Sequence, residues 1–292
     1  MTWHTQHAQD TQGARNARRA GMTVVVTGAS GRTGSRVAAA AEAAGLTVRP
    51  VSRARGFDWH DRSTWEHVLR DADAAYLVHP EVGAPDAALA VGLFAHEAVR
   101  LGVWRLVLLS TRGEASARPT EEALRESGAD WTVVRASWFA QNFSEGPLMA
   151  ELRERGELVF PGGEVREPFV DVRDVADVVV AVLTADDDRY VGQAVTVSGP
   201  RLLTFADAVA EIARAAGREL AYRPVSAREY GERLTGSGVP AEEAEFVADL
   251  FESLLDGRNA YLSDGVRQVL GREPRDFRDY VREAAAAGAW TS

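Results

Sequence analysis

The 292-residue chain contains no cysteine, which removes disulfides, thiolate nucleophiles and cysteine-ligated metals in one step. It contains no lysine either: its 33 basic side chains other than histidine are all arginine. The six histidines, His4, His7, His60, His67, His79 and His96, keep no spacing with carboxylates that suits a metal ion, so no metal is expected. Long apolar runs are missing as well. No segment approaches the length of a membrane span, and the chain reads as a soluble, cytoplasmic protein. Positive charge is in deficit, with a net value of -10. An acidic surface repels phosphate backbones, which speaks against a nucleic-acid partner.

With 46% hydrophobic and 26% charged residues, the composition is that of an ordinary globular chain long enough to bury a substantial core. Residues 1–21 are polar and carry Arg15, Arg18 and Arg19 without the apolar centre of a secretory signal. They read as a disordered extension, with Met22 as a candidate start and a mitochondrial-type presequence as the other reading.

The run from Thr23 to Thr27 is apolar and β-branched, then breaks into Gly28, Gly31 and Gly34 and enters an alanine-rich segment from Arg36 to Ala44. A Val-rich run suits a buried parallel strand, and glycines let backbone N–H groups approach a pyrophosphate at the positive end of the following helix. The stretch Gly28 to Gly34, with Ser30, Arg32 and Thr33, predicts a dinucleotide turn. Short apolar runs at Thr47–Val51, Ala74–Val78, Arg105–Leu109 and Trp131–Val134 alternate with helical segments, and Gly45, Gly102 and Gly128 close helices ahead of strands. A weak strand is expected at Gly56–Trp59, and Ser63 to Glu66 has capping-box spacing.

The fold class expected is α/β, a Rossmann doubly wound parallel sheet with a smaller, mostly helical C-terminal lobe. The expected division is 22–150 for the nucleotide-binding domain, with 190–200 returning to its sheet, and 151–292 for the lobe, which would close a cleft over the carboxyl ends of the strands.

An NAD enzyme places an acid about 20 residues past the turn; this chain has Ser52-Arg53-Ala54-Arg55. Serine and guanidinium suit a 2′-phosphate, and Arg32 offers a second contact, so NADP(H) is the cofactor expected. Asp58 either borders the adenine or caps the helix begun near Ser63. Val78, His79 and Ser110 follow strands and would line the nucleotide crevice. His79 and Ser110 are catalytic candidates, and backbone contact or turn capping are their other readings. A Tyr-x-x-x-Lys proton relay is impossible without lysine, and no tyrosine lies between Arg105 and Ala150. A hydrolase triad fails too, because no histidine follows His96.

The segment Arg135-Ala136-Ser137-Trp138-Phe139-Ala140-Gln141-Asn142-Phe143 is similar to the Leu-Arg-Pro-x-x-Phe-x-x-Asn stretch of NmrA-like atypical short-chain dehydrogenase/reductases. The glycine turn, Ser52-Arg53 and Phe169 to Ala176 match that family as well. Phe57-Asp58-Trp59, Ser63-Thr64-Trp65 and Tyr76-Leu77-Val78 most resemble its ergot-alkaloid reductase branch, and Ala136 departs from the usual proline. The resemblance implies that Trp138, Phe139, Asn142 and Phe143 face substrate at the nicotinamide end; core packing between the lobes is the other reading of the aromatics. Asp171 and Asp174 read as caps of a helix running to Leu183.

The function expected is an NADPH-dependent reductase that passes a hydride to an activated small molecule, an iminium ion, a quinone or a conjugated carbonyl. Such a molecule brings its own activation, which suits a site without a Tyr-Lys pair. The rival expectation is an NADP(H)-binding redox sensor that acts through a protein partner. Monomer and homodimer both remain open.

Overall fold

The computed structural model describes residues 21–291; apart from residue 21, the N-terminal extension lies outside the described residues. The strands are β1 Thr23–Val26, β2 Thr47–Pro50, β3 Ala74–Leu77, β4 Arg105–Thr111, β5 Asp130–Ala136, β6 Glu157–Phe160, β7 Arg166–Glu167, β8 Gln193–Val197, β9 Leu203–Thr204 and β10 Ala221–Pro224. Six of them form one sheet in the order β2-β1-β3-β4-β5-β8. β1 pairs parallel with β2 and β3, and β3 pairs parallel with β4. Helices fill the connections, as parallel crossovers require. This is the doubly wound α/β class expected. The chain leaves β1 toward β2 and then crosses to β3, so the switch point lies between β1 and β3.

Two compact units are formed. The first takes residues 21–111, Ala115–Arg135 and Val175–Val195; the second takes Arg112–Glu114, Ala136–Asp174 and the chain from Thr196. The second unit takes up the chain from Ala136. The helix Val172–Leu183 also gives most of its length to the first unit. Its residues Val175, Val178, Val179 and Val182 are all buried, an apolar stripe that needs a sheet face to cover it.

The expected strand at Gly56–Trp59 does not form. Phe57 N bonds Ser52 O at 3.0 Å and Asp58 N bonds Thr64 Oγ1 at 3.1 Å, so these amides serve local turns and not a ladder. The rings of Phe57 and Trp59 instead pack edge-on against Phe94, with centroids at 5.5 and 5.1 Å, and Trp65 joins them at 5.4 Å. The capping box at Ser63 is absent too. Asp61 caps the short turn Arg62–Thr64, and the helix Glu66–Leu69 begins at Trp65 with no side-chain cap.

The second unit has an aromatic core in which Phe143, Phe160, Phe169, Phe205 and Phe277 are buried. β6 pairs parallel with β10, and β7 pairs antiparallel with β9. Its helix Phe205–Ala216 opens with a capping box in which the Thr204 and Asp207 side chains each bond the other's amide, as the Thr-x-x-Asp spacing requires. Ser226 likewise caps the helix Ala227–Gly236 through Glu229 N.

Candidate functional site

β1 ends at Val26, and the turn that follows is built by close backbone approach. The helix starts at Arg32, one turn earlier than its alanine pattern indicates. A Cβ on Gly34 would lie 2.2 Å from Gly28 O and 2.9 Å from Thr27 O. Gly28 has φ +59, and a Cβ there would lie 2.6 Å from Val78 Cγ1. The first position thus requires glycine for contact, and the second for contact and conformation. Thr27 ties the ends of β1 and β3 together: its hydroxyl accepts from Val78 N at 2.8 Å and donates to Tyr76 O at 3.2 Å. The turn and Val78-His79 therefore flank the switch point.

The helix behind the turn has no side-chain N-cap and no acid in its first turn. A positive helix end of this kind suits an anion. Two buried side-chain atoms beside the carboxyl ends of β2 and β3 also lack partners, Ser52 Oγ and His79 Nε2. His79 Nδ1 is committed to the Glu81 carbonyl at 2.9 Å, so Nε2 is the ring's open position. Each unmet buried polar group costs about 1–3 kcal/mol, which a bound polar molecule recovers. Arg53, in the short turn Arg53–Arg55, is exposed. Asp58 does not cap the helix; its Oδ1 accepts from His60 N at 2.9 Å. Ser30 is exposed, whereas Thr33 is buried.

Ser110 is directed elsewhere. It is buried and donates to Glu121 Oε1 at 2.7 Å. The same carboxylate takes Arg135 through Nε at 2.9 Å and through Nη2, with Arg125 at 3.4 Å. Burial pushes Glu121 up, but these bonds outweigh it and hold the carboxyl below its ordinary range. The arginine of the family-like segment is thus a partner of a buried acid.

In the second unit, Ser137 Oγ donates to Pro168 O at 2.6 Å, and Gln141 bonds Asp171 Oδ1 and Val172 N, both at 2.9 Å. Trp138 is half-buried against Phe160, Phe205 and Phe251 at 5.8, 5.6 and 5.8 Å, and its buried Nε1 has no partner. Phe139 and Asn142 are half-buried. Phe143 is 0% exposed between Phe169 and Phe277; it belongs to the core, which corrects its placement toward substrate. Asp171 caps the helix through Arg173 N at 2.8 Å. Asp174 does not: it accepts from Arg275 N at 2.6 Å and pairs with Arg272 and Arg275.

Sequence reasoning missed Arg112 and Glu167. Arg112 is 3% exposed; its Nη atoms donate to Asn259 O at 2.6 Å and Tyr261 O at 3.0 Å, and its Cζ lies 4.3 Å from the Tyr261 ring centre. Glu167 is 1% exposed. Burial pushes its carboxyl up to about 7, against the pull of Arg112 and with a push from Asp256. A charged residue directly after the apolar β4 was the available signal for Arg112. Glu167 has none, because its burial depends on residues distant in sequence.

No protein-family model matches the chain. It is 33% identical over 281 residues to the uncharacterized oxidoreductase YesF of Bacillus subtilis, covering 92% of this chain and 96% of that one. It is 30% identical over 282 residues to agroclavine dehydrogenase of Claviceps fusiformis, covering 89% and 96%. Among solved structures, NmrA, a negative transcriptional regulator in complex with NADP, superposes with a TM-score of 0.71 at 18% identity, covering 92% of this chain and 97% of that one.

Proposed function

The chain belongs to the NmrA-like atypical short-chain dehydrogenase/reductase family, and from that premise we propose that it is an NADPH-dependent reductase of an activated small molecule. One observation carries the cofactor half of this reading: a glycine turn that a Cβ would fill, ahead of a helix with no capping side chain and no acid in its first turn. Those features fit a dinucleotide diphosphate. Gly28, Ser30, Gly31, Thr33 and Gly34 would hold the diphosphate, with Ser52, Arg53 and Arg32 at the adenosine 2′-phosphate. Asp58, Val78 and His79 would line the remainder, and the open Nε2 of His79 supplies a polar contact there. A reduced nicotinamide supplies a hydride when bound.

The substrate half rests on Trp138, whose half-buried ring and unpartnered indole N–H suit a planar molecule with an acceptor atom. Phe139 and Asn142 would complete that surface. Ser110 takes no part in the chemistry on this reading, because its proton points into the Glu121 network.

Arg53→Glu is expected to weaken NADPH binding roughly 10- to 100-fold, the loss of one or two charge-assisted contacts, while NADH binding holds or improves. Calorimetric titration of both cofactors measures this; equal losses for the two would remove Arg53 from the phosphate site. NADPH depletion across iminium ions, quinones and enones tests the activity itself. Binding that discriminates NADPH from NADP without any turnover would favour the regulatory reading, which the NADP-bound regulator of the same fold makes specific.

A further inference from the structure

Three residues that each follow a strand of the sheet are joined in the second unit. Arg112 follows β4, Ser137 follows β5 and Ser198 follows β8. Arg112 N bonds Ala136 O at 2.9 Å, and Ser137 N bonds Val197 O at 3.0 Å. Ser198 Oγ accepts from Ser263 N at 2.9 Å, while Pro168 O takes both Ser137 Oγ and Gly199 N, the latter at 3.0 Å. The carboxyl ends of neighbouring parallel strands are where doubly wound folds bind ligands. Around this frame three buried polar atoms have no partner: Arg112 Nε, Glu167 Oε1 and Ser263 Oγ.

The charges are unusual as well. The Arg112 guanidinium spends its bonds on two backbone carbonyls and forms no ion pair among the described residues. Glu167, the acid that acts on it electrostatically, accepts no hydrogen bond among the described residues. A buried cation without a bonded anion favours a group that develops negative charge. A buried carboxyl without a donor favours its protonated form, which then donates.

Resting on the reductase reading above, we propose that Arg112 and Glu167 receive the carbonyl oxygen of a quinone or conjugated ketone, and that Glu167 delivers its proton. When a hydride adds its two electrons to a carbon of such a molecule, the conjugated π pair moves onto the oxygen. That oxygen forms an O–H bond as the O–H bond of Glu167 breaks, and the carboxylate regains a proton from water. Arg112 holds the charge while it develops. The arrangement selects against iminium ions, which need no proton and would meet a buried guanidinium.

The groups facing Glu167 are Arg112, which favours the carboxylate, and Asp256, which opposes it and is itself bonded to Arg258 at 2.6 Å. With the carboxyl titrating at about 7, kcat/KM for a quinone is expected to be high below that pH and to fall above it.

Glu167→Gln tests the assignment. Quinone and enone kcat/KM should drop roughly 100-fold or more, as for a lost general acid, and the fall above pH 7 should vanish; a preformed iminium ion should lose at most a few-fold. Without cofactor or substrate, the infrared band of a protonated carboxylic acid should titrate near pH 7 in the unsubstituted protein and be missing from the variant. A raised carboxyl pKa means stability is lost as pH rises through about 7, so the folded variant should melt above the parent at pH 8 and close to it at pH 4. Unchanged quinone rates and pH profile in the variant, or no carboxyl titrating near pH 7, would overturn the assignment and leave the reductase reading intact. Failure of the unsubstituted protein to oxidise NADPH with any acceptor overturns both.

Discussion

Gly34→Ala is expected to abolish useful NADPH binding, raising its dissociation constant by roughly 100-fold or more. The added Cβ would lie 2.2 Å from the Gly28 oxygen, 2.6 Å from its carbon and 2.9 Å from the Thr27 oxygen. All three are backbone atoms, so no rotamer change relieves the overlap. Either the helix Arg32–Ala43 lifts from the strand or the turn shifts, and a displacement near 1 Å costs about 100-fold where geometry is decisive. Overpacking of this kind costs about 1–3 kcal/mol in stability, partly offset by the better helix propensity of alanine, worth about 1 kcal/mol. Binding should therefore suffer far more than folding.

Two other glycines calibrate the result. At Gly31 a Cβ would meet only Gly28 O at 3.2 Å, and at Gly45, where φ is +82, it would meet nothing within 4 Å. Gly45→Ala should cost stability through its backbone conformation alone and leave NADPH titration unchanged. Fluorescence titration of NADPH beside thermal melts separates the cases. If Gly34→Ala and Gly45→Ala bound NADPH equally well, the turn would not be the phosphate site.

Asp174→Ala should be strongly destabilising, at about 3 kcal/mol. The carboxylate is 0% exposed, accepts from Arg275 N and pairs with Arg272 at 2.7 Å as well as with the Arg275 side chain. Removing one member of a buried ion pair costs about 3–5 kcal/mol; because both arginines are about a third exposed, water recovers part of their solvation and the low end applies. For a chain of this size the melting temperature should fall by roughly 6–12 °C. Asp174→Asn keeps the volume and an acceptor for Arg275 N, so it should lose less. A change below 1 kcal/mol for Asp174→Ala in urea denaturation would show that the segment carrying Arg272 and Arg275 contributes little to the fold.

Much of this was legible in advance. The Val-rich runs and the glycines behind each helix fix local geometry through neighbours a few residues apart, as do the caps the structure forms at Thr204 and Ser226. The strands the runs predict appear within two residues of their expected ends, whereas the helix expected from Arg36 begins a turn earlier, at Arg32. The same local logic misplaced Ser63, where Asp61 takes the amide first. It also misread Phe57 and Trp59, whose β propensity yields to a core around Phe94.

By itself the sequence determined the absence of a Tyr-Lys relay, since a chain without lysine cannot contain one in any fold, and it marked the glycine turn, whose meaning is carried by consecutive residues. Only the tertiary structure decided what each polar side chain has left to offer. Ser110 spends its proton on Glu121, Asp174 binds arginines a hundred residues away, and Phe143 is closed within the core. Arg112 and Glu167 are left buried with unmet hydrogen-bonding capacity. Burial and partner choice are long-range properties: they depend on which distant segments exclude water from a group, and no spacing along the chain records that.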